Sequence, residues 1–196
     1  MMNTKFDLVI VGVGGQGTLL ASKILGRLAL DAGLGVKVSE VHGMSQRGGS
    51  VITHVRVGEE VFAPMVPLGQ ADYLLSFEML EAARAAAYLK KDGVAIVNTQ
   101  RISPMPVVTG AMAYPEKPET LLDGHRFEAT DALKMAIQAG NQKALNLVLL
   151  GMLARHLDFS NEAWYEAIGA CVPRKTLDVN IKAFDMGRMV IDHPLG

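Results

Sequence analysis

The chain has 196 residues, 49% hydrophobic and 20% charged, with 19 basic against 20 acidic side chains and a formal net charge of −1. A chain of this size buries roughly 70% of the surface its unfolded form exposes, so one α/β domain spanning residues 1–196 can fold without disulfides or metal staples. The balance lacks the basic excess of a nucleic-acid binder, no run of 18 apolar residues suggests a membrane span, and the N-terminal apolar segment breaks at Asp7 where a signal peptide would continue, so a cytoplasmic protein is expected.

In chain order, Phe6-Asp7-Leu8-Val9-Ile10-Val11 is a short apolar run followed by Gly12-Val13-Gly14-Gly15-Gln16-Gly17 and then by helical periodicity. Strand, glycine loop and helix in that order predict the first half of a βαβ unit. Its helix would cover residues 17–31 with Leu20, Ile24 and Leu28 on one stripe, and Gly33 and Gly35 close it before a strand at Val36-Lys37-Val38-Ser39. Residues 42–49 then hold three glycines and no apolar periodicity, and lead into an alternating strand over residues 50–57. Gly58-Glu59 reads as a tight hairpin turn into Glu60-Val61-Phe62, which makes the sheet mixed.

From Asp72 the βα style resumes, with Tyr73-Leu74-Leu75-Ser76 as strand, an alanine-rich helix over residues 78–91 ending in Lys90 and Lys91, Gly93 as its stop, and Val94-Ala95-Ile96-Val97 as strand. Residues 103–118 carry four prolines and read as extended strand and loop. Helices fill most of the rest. Residues 144–157 are apolar nearly all round, so that helix is buried on both sides or covered by another subunit. Thr176 is placed to cap a last helix whose inward stripe is Leu177, Ile181, Phe184 and Met189. The expected architecture is a three-layer, Rossmann-like mixed sheet with an antiparallel hairpin and a helical C-terminal part.

Cysteine usage narrows the chemistry. Cys171 is the single cysteine, so no internal disulfide forms and no iron–sulfur cluster, which takes about four thiolates, is held by this chain alone. The five histidines lack zinc-ligand spacing, and no metal site is expected. His54 and Arg56 read as the wet side of a strand, His125, His156 and His193 as surface residues, and Cys171 as a buried small hydrophobe.

Two segments concentrate chemistry. Gly12, Gly14 and Gly17 fit G-x-G-x-x-G, with Gly15 and Gln16 between them, and Glu40 stands 23 residues past Gly17, where a dinucleotide-binding protein keeps its ribose acid. Read alone, that pattern says NAD or FAD, or simply a glycine turn that lets a helix pack on a sheet; either way the helix N-terminus attracts an anion. The second segment places His42, Ser45, Gln46 and Arg47 within six residues, while Gly48 and Gly49 let successive N–H groups converge on one anion. The plain alternative is a solvated turn whose Arg47 pairs with a surface carboxylate.

Together, Gly12-Val13-Gly14-Gly15-Gln16-Gly17 and Glu40-Val41-His42-Gly43-Met44-Ser45-Gln46-Arg47-Gly48-Gly49-Ser50-Val51 resemble the gamma-type domain of the 2-oxoacid:ferredoxin oxidoreductases. Gly140-Asn141 through Asn146 to Gly151, and Asn180-Ile181-Lys182-Ala183-Phe184 with Gly187, are similar to the family's late helices. The resemblance implies a subunit of an enzyme that decarboxylates an arylpyruvate oxidatively, passes electrons singly to ferredoxin and hands the acyl group to coenzyme A. It implies that thiamine diphosphate, Mg2+ and iron–sulfur clusters sit on a larger partner subunit. The sequence agrees, since it lacks both the Gly-Asp-Gly…Asn-Asn pattern for the diphosphate's magnesium and the cysteines. The chain is then inert alone, and self-association without the partner stays open. The chief rival is a self-sufficient NAD- or flavin-binding oxidoreductase, and a third reading is a non-enzymatic ligand-binding module.

Overall fold

Strand β1 (Phe6–Val13) is buried on both faces, which is why Leu8, Val9, Ile10 and Val11 form a continuous apolar run instead of an alternating one. In the computed structural model, which describes residues 4–43 and 49–190, β1 is an inner strand of a six-stranded sheet. The other strands are β2 (Gly35–His42), β3 (Ser50–Gly58), β4 (Ala71–Ser76), β5 (Leu89–Asn98) and β6 (Arg126–Thr130), in the spatial order β2-β3-β1-β4-β5-β6. β4, β5 and β6 continue parallel from β1, whereas β3 runs antiparallel to both β1 and β2.

Helices α1 (Thr18–Asp31), α4 (Ala132–Ala139), α5 (Leu145–Ala154), α6 (Asn161–Cys171) and α7 (Leu177–Arg188) share one core with Leu8, Ile10, Val55, Leu75 and Ile96. Helix α2 (Met79–Ala85) packs with Val9, Val11, Leu74 and Val97 on the opposite face. α3 (Met105–Val108) is one exposed turn in the proline-rich connection. The expected three-layer mixed α/β fold is therefore present.

Several expectations are corrected. The βαβ unit is split: β2 runs parallel to β1 but lies outside β3, so the two strands never touch. Residues 60–62 form no strand; the antiparallel hairpin is instead β2 with β3, joined across residues 43–49, because Val36 to His42 find partners in Val57 to Val51. The alanine-rich helix ends at Ala85, and a 3-10 turn Ala86–Tyr88 leads directly into β5. Lys90 thus lies in a strand and binds Asp72 at 2.6 Å. Gly93 is no helix stop but a strand glycine beside a register shift, where a Cβ would meet the Ala71 carbonyl oxygen at 2.9 Å.

Helix α5, apolar except for Asn146, is buried by its own chain on every side, so it offers no surface to another subunit. Gly151 on α5 and Gly187 on α7 let the two backbones meet: a Cβ at Gly151 would lie 2.0 Å from the Phe184 carbonyl oxygen, and one at Gly187 2.0 Å from that of Val148. On α7 the buried face is Asn180, Ala183, Phe184 and Gly187, while Met189 is exposed. Thr176 does not cap, since its hydroxyl donates to the Pro173 carbonyl of the preceding turn.

His54 is buried, not wet, because residues 59–70 fold back over that side of β3. Its Nδ1 accepts the Val66 N–H at 3.3 Å and its ring meets Tyr88 edge-on. Arg56 pairs with Asp7 at 2.8 Å. His156 is drawn inward by buried Glu128, 2.9 Å away, which also binds Arg126 and Arg155. Cys171 and His125 are half-buried, and His193 lies outside the described residues.

Candidate functional site

Parallel neighbours β1 and β4 send their following helices, α1 and α2, to opposite faces of the sheet. A crevice opens at the carboxyl ends of such strands, where open α/β sheets hold their ligands. The sequence places its glycine loop there. Gly12 leaves no room for a side chain, since a Cβ would sit 2.9 Å from Gln16 Oε1 and 3.0 Å from Phe77 Cβ. Gly15 and Gly17 have φ of +96° and +94°, a backbone region costly for other residues.

Gln16 closes the turn on itself. Its Oε1 accepts the Val13 N–H at 2.7 Å and its Nε2 donates to the Phe77 carbonyl at 3.1 Å, so the side chain ties the loop to the end of β4. Gly14 donates its N–H to the Gly49 carbonyl at 3.0 Å, and Val13 pairs with Ser50 in the ladder. The two glycine-bearing segments singled out in the sequence are therefore joined at their stems.

The stems of the second segment are anchored too. Gly43 donates to the Ser50 carbonyl at 2.9 Å, and the Ser50 hydroxyl donates to buried Glu81 on α2 at 2.5 Å. His42 lies at the exposed end of β2, 2.6 Å from Glu40. Ser45, Gln46, Arg47 and Gly48 lie outside the described residues, and Gly49 within them. Glu40 binds His42 and the Thr53 hydroxyl. With β3 between β2 and β1, Glu40 is separated from the glycine-loop strand by two strand spacings, roughly 10 Å. A dinucleotide ribose acid sits on the strand next to the glycine loop, so Glu40 does not complete that pattern.

Residues not singled out in the sequence complete the surroundings. Beside Gly15 and Gly17 lies a cleft of about 490 Å³, walled by Leu20 and Ile102 and reached by Gln100, Lys143 and Asn146. Lys143 and Asn146 fall in the late stretch that carries the family resemblance, which was the available signal; Gln100 carried none. Nearby, buried Glu78 accepts the Glu81 N–H, the Ile102 N–H and the Tyr114 hydroxyl, and so pins the connection after β5. Burial, then the carboxylate, pushes the Tyr114 phenol well above its ordinary range. Among the described residues, no group of three or more His, Cys, Asp or Glu could hold a metal ion, and no helix is long and apolar enough to cross a membrane.

Residues 7–190 match the family described as Pyruvate ferredoxin/flavodoxin oxidoreductase. The chain is 48% identical over 190 residues to the indolepyruvate oxidoreductase subunit IorB of Pyrococcus horikoshii, covering 93% of this chain and 94% of that one. It is 46% identical over 199 residues to the subunit of the same name from Thermococcus kodakarensis, covering 98% of each. Among solved structures, the keto/oxoacid ferredoxin oxidoreductase gamma subunit of Geobacter sulfurreducens superposes with a TM-score of 0.69 at 25% identity, over 93% of this chain and 95% of that one.

Proposed function

The chain belongs to the pyruvate ferredoxin/flavodoxin oxidoreductase family, and from that premise we propose that it is the small subunit of an indolepyruvate oxidoreductase, a single gamma-type domain working in the cytoplasm within a larger assembly. The observation that carries this reading is identity of 46% and 48% to subunits of that name, along nearly the whole chain. The solved gamma subunit it resembles is part of an oxoacid ferredoxin oxidoreductase, not of a NAD or flavin enzyme. The displaced Glu40 also speaks against the self-sufficient dinucleotide enzyme.

The reaction is the coenzyme A-dependent oxidative decarboxylation of an arylpyruvate, with electrons leaving to ferredoxin. Thiamine diphosphate with Mg2+ supplies the carbanion chemistry, and iron–sulfur clusters the one-electron steps, on the larger subunit. The residues here do not fit those groups: the chain has one thiol, and its described residues hold no group of three or more His, Cys, Asp or Glu able to hold a metal ion.

This chain's own share is electrostatic. The connection from His42 to Gly49 meets the partner's active site, with Arg47 offering a fixed cation to the oxoacid carboxylate or a coenzyme A phosphate. Gly48 and Gly49 add backbone donors, and His42, Ser45 and Gln46 are the further polar candidates that the sequence places in this connection. In the complex reconstituted with the larger subunit, Arg47→Ala raises the apparent KM for the oxoacid or for coenzyme A about ten-fold, the loss of roughly 1.4 kcal/mol. Steady-state kinetics with both substrates varied checks this, and unchanged constants for both remove Arg47 from the reading.

A further inference from the structure

The proline-rich connection after β5 carries an apolar surface that the fold leaves uncovered. No charged residue occurs between Arg101 and Glu116, in a chain that is 20% charged. Within that stretch Met105, Val108 and Met112 are 59%, 65% and 66% exposed, and α3 buries none of its residues. Exposed apolar side chains are ordinary when scattered singly, but three on one short loop make a patch of the kind that marks a contact site.

The loop is firmly held at its base. Both of its ends close on one atom: Oε1 of Glu78, which is 1% exposed, accepts the Ile102 N–H at 2.9 Å and the Tyr114 hydroxyl at 2.8 Å. The Arg101 guanidinium lies over the Tyr114 ring, 5.7 Å from its centroid, and binds the Glu116 carbonyl and Glu119 just outside the loop. At the tip, the Met112 N–H returns to the Pro106 carbonyl at 3.0 Å. Residues 102–114 thus form a compact loop with joined ends, and a shape fixed before contact lowers the ordering cost of binding.

The start of α2 decides which neighbour this loop keeps. Glu78 is the cap of that helix and accepts the Glu81 N–H, and Glu81 in turn accepts the Ser50 hydroxyl. One helical turn therefore holds the apolar loop through Glu78 and the stem of the 42–49 connection through Glu81. Ile102, at the base of the loop, also walls the crevice.

We propose that the loop of residues 102–114 docks into an uncharged, apolar recess on the larger subunit, with Met105, Val108 and Met112 as its contacts. This rests on the subunit assignment: the relatives are named as subunits, and the connection held by the same turn of α2 is the part assigned to the partner's active site. Methionine's unbranched, polarisable side chain suits such a recess. A lipid surface fits poorly, since interfacial segments set Lys or Arg beside their apolar residues and this loop has no charge of its own.

Isothermal titration of the full chain with the purified larger subunit tests the proposal, using the double variant Met105→Asp, Met112→Asp. Both side chains are exposed, so the variant's thermal melt should match that of the parent. The expected result is association weakened by about ten-fold or more, because two carboxylates would have to enter an apolar recess. Should the double variant melt early, Val108→Asp carries the same test. Affinity equal to the parent's overturns the loop's role and leaves the subunit assignment standing, whereas no association of the parent chain overturns both. Undiminished association with the larger subunit, together with lost self-association or lost binding to anionic phospholipid vesicles, identifies a second copy or a membrane as the occupant and also overturns the proposal.

Discussion

Gln16 shows how a residue can sit in a ligand-binding motif and serve the motif instead of the ligand. Its amide satisfies Val13 and Phe77 at once, so Gln16→Ala removes two hydrogen bonds and leaves both backbone groups to find water. The expected loss is about 1–3 kcal/mol, read from the urea midpoint at constant m-value. His54 carries a pH dependence. Burial holds its imidazole below the ordinary value, so the unfolded chain takes up the proton first and stability falls as pH drops through about 6.5 toward the lowered native value. Below that value the loss is complete. Thermal melts across this range should show a Tm that declines with acid, and His54→Asn, which keeps an acceptor near the Val66 N–H, should flatten the decline.

At the scale of elements, the crossing of α5 and α7 depends on two glycines that helix propensity would disfavour. Their Cα atoms stand so close to the opposing backbone that a methyl group has nowhere to go. Gly151→Ala and Gly187→Ala should each destabilise by about 3 kcal/mol, at the upper end of overpacking costs. The double variant should cost less than the sum, because the first separation of the helices makes room for the second methyl. Calorimetric melts of the three variants measure both effects. Neither glycine has a positive φ, so the constraint is the approach of two helices and not a turn.

Across the whole molecule, the described residues present sheet, crevice and anchored loop stems but no metal-ligating cluster. The purified chain should therefore be colourless and fail to oxidise arylpyruvates with ferredoxin or a viologen acceptor, and activity should return only with a larger subunit. Capture of the tagged chain from native extract, with the retained chains assayed for thiamine diphosphate and iron, checks the partner. An isolated chain that turns over at an ordinary rate, or a retained complex without those cofactors, would falsify the subunit assignment. The expected covering of an apolar α5 by that partner is not its basis, since the chain's own helices bury α5 completely.

Read one residue after another, the amino acids already specify β1, the glycine loop, α1 and the polar segment after β2, because each depends on local periodicity or on glycine's backbone freedom. Gln16, Gly151 and Gly187 are visible there as letters, yet their roles are not. Strand order, the separation of Glu40 from the glycine loop, the burial of His54, the pairing of His156 with Glu128, and the meeting of Asn146 with Gly17 arise between segments far apart in the chain. Such placements follow from how the sheet is threaded and which faces its helices cover, and no window of neighbouring residues contains that information.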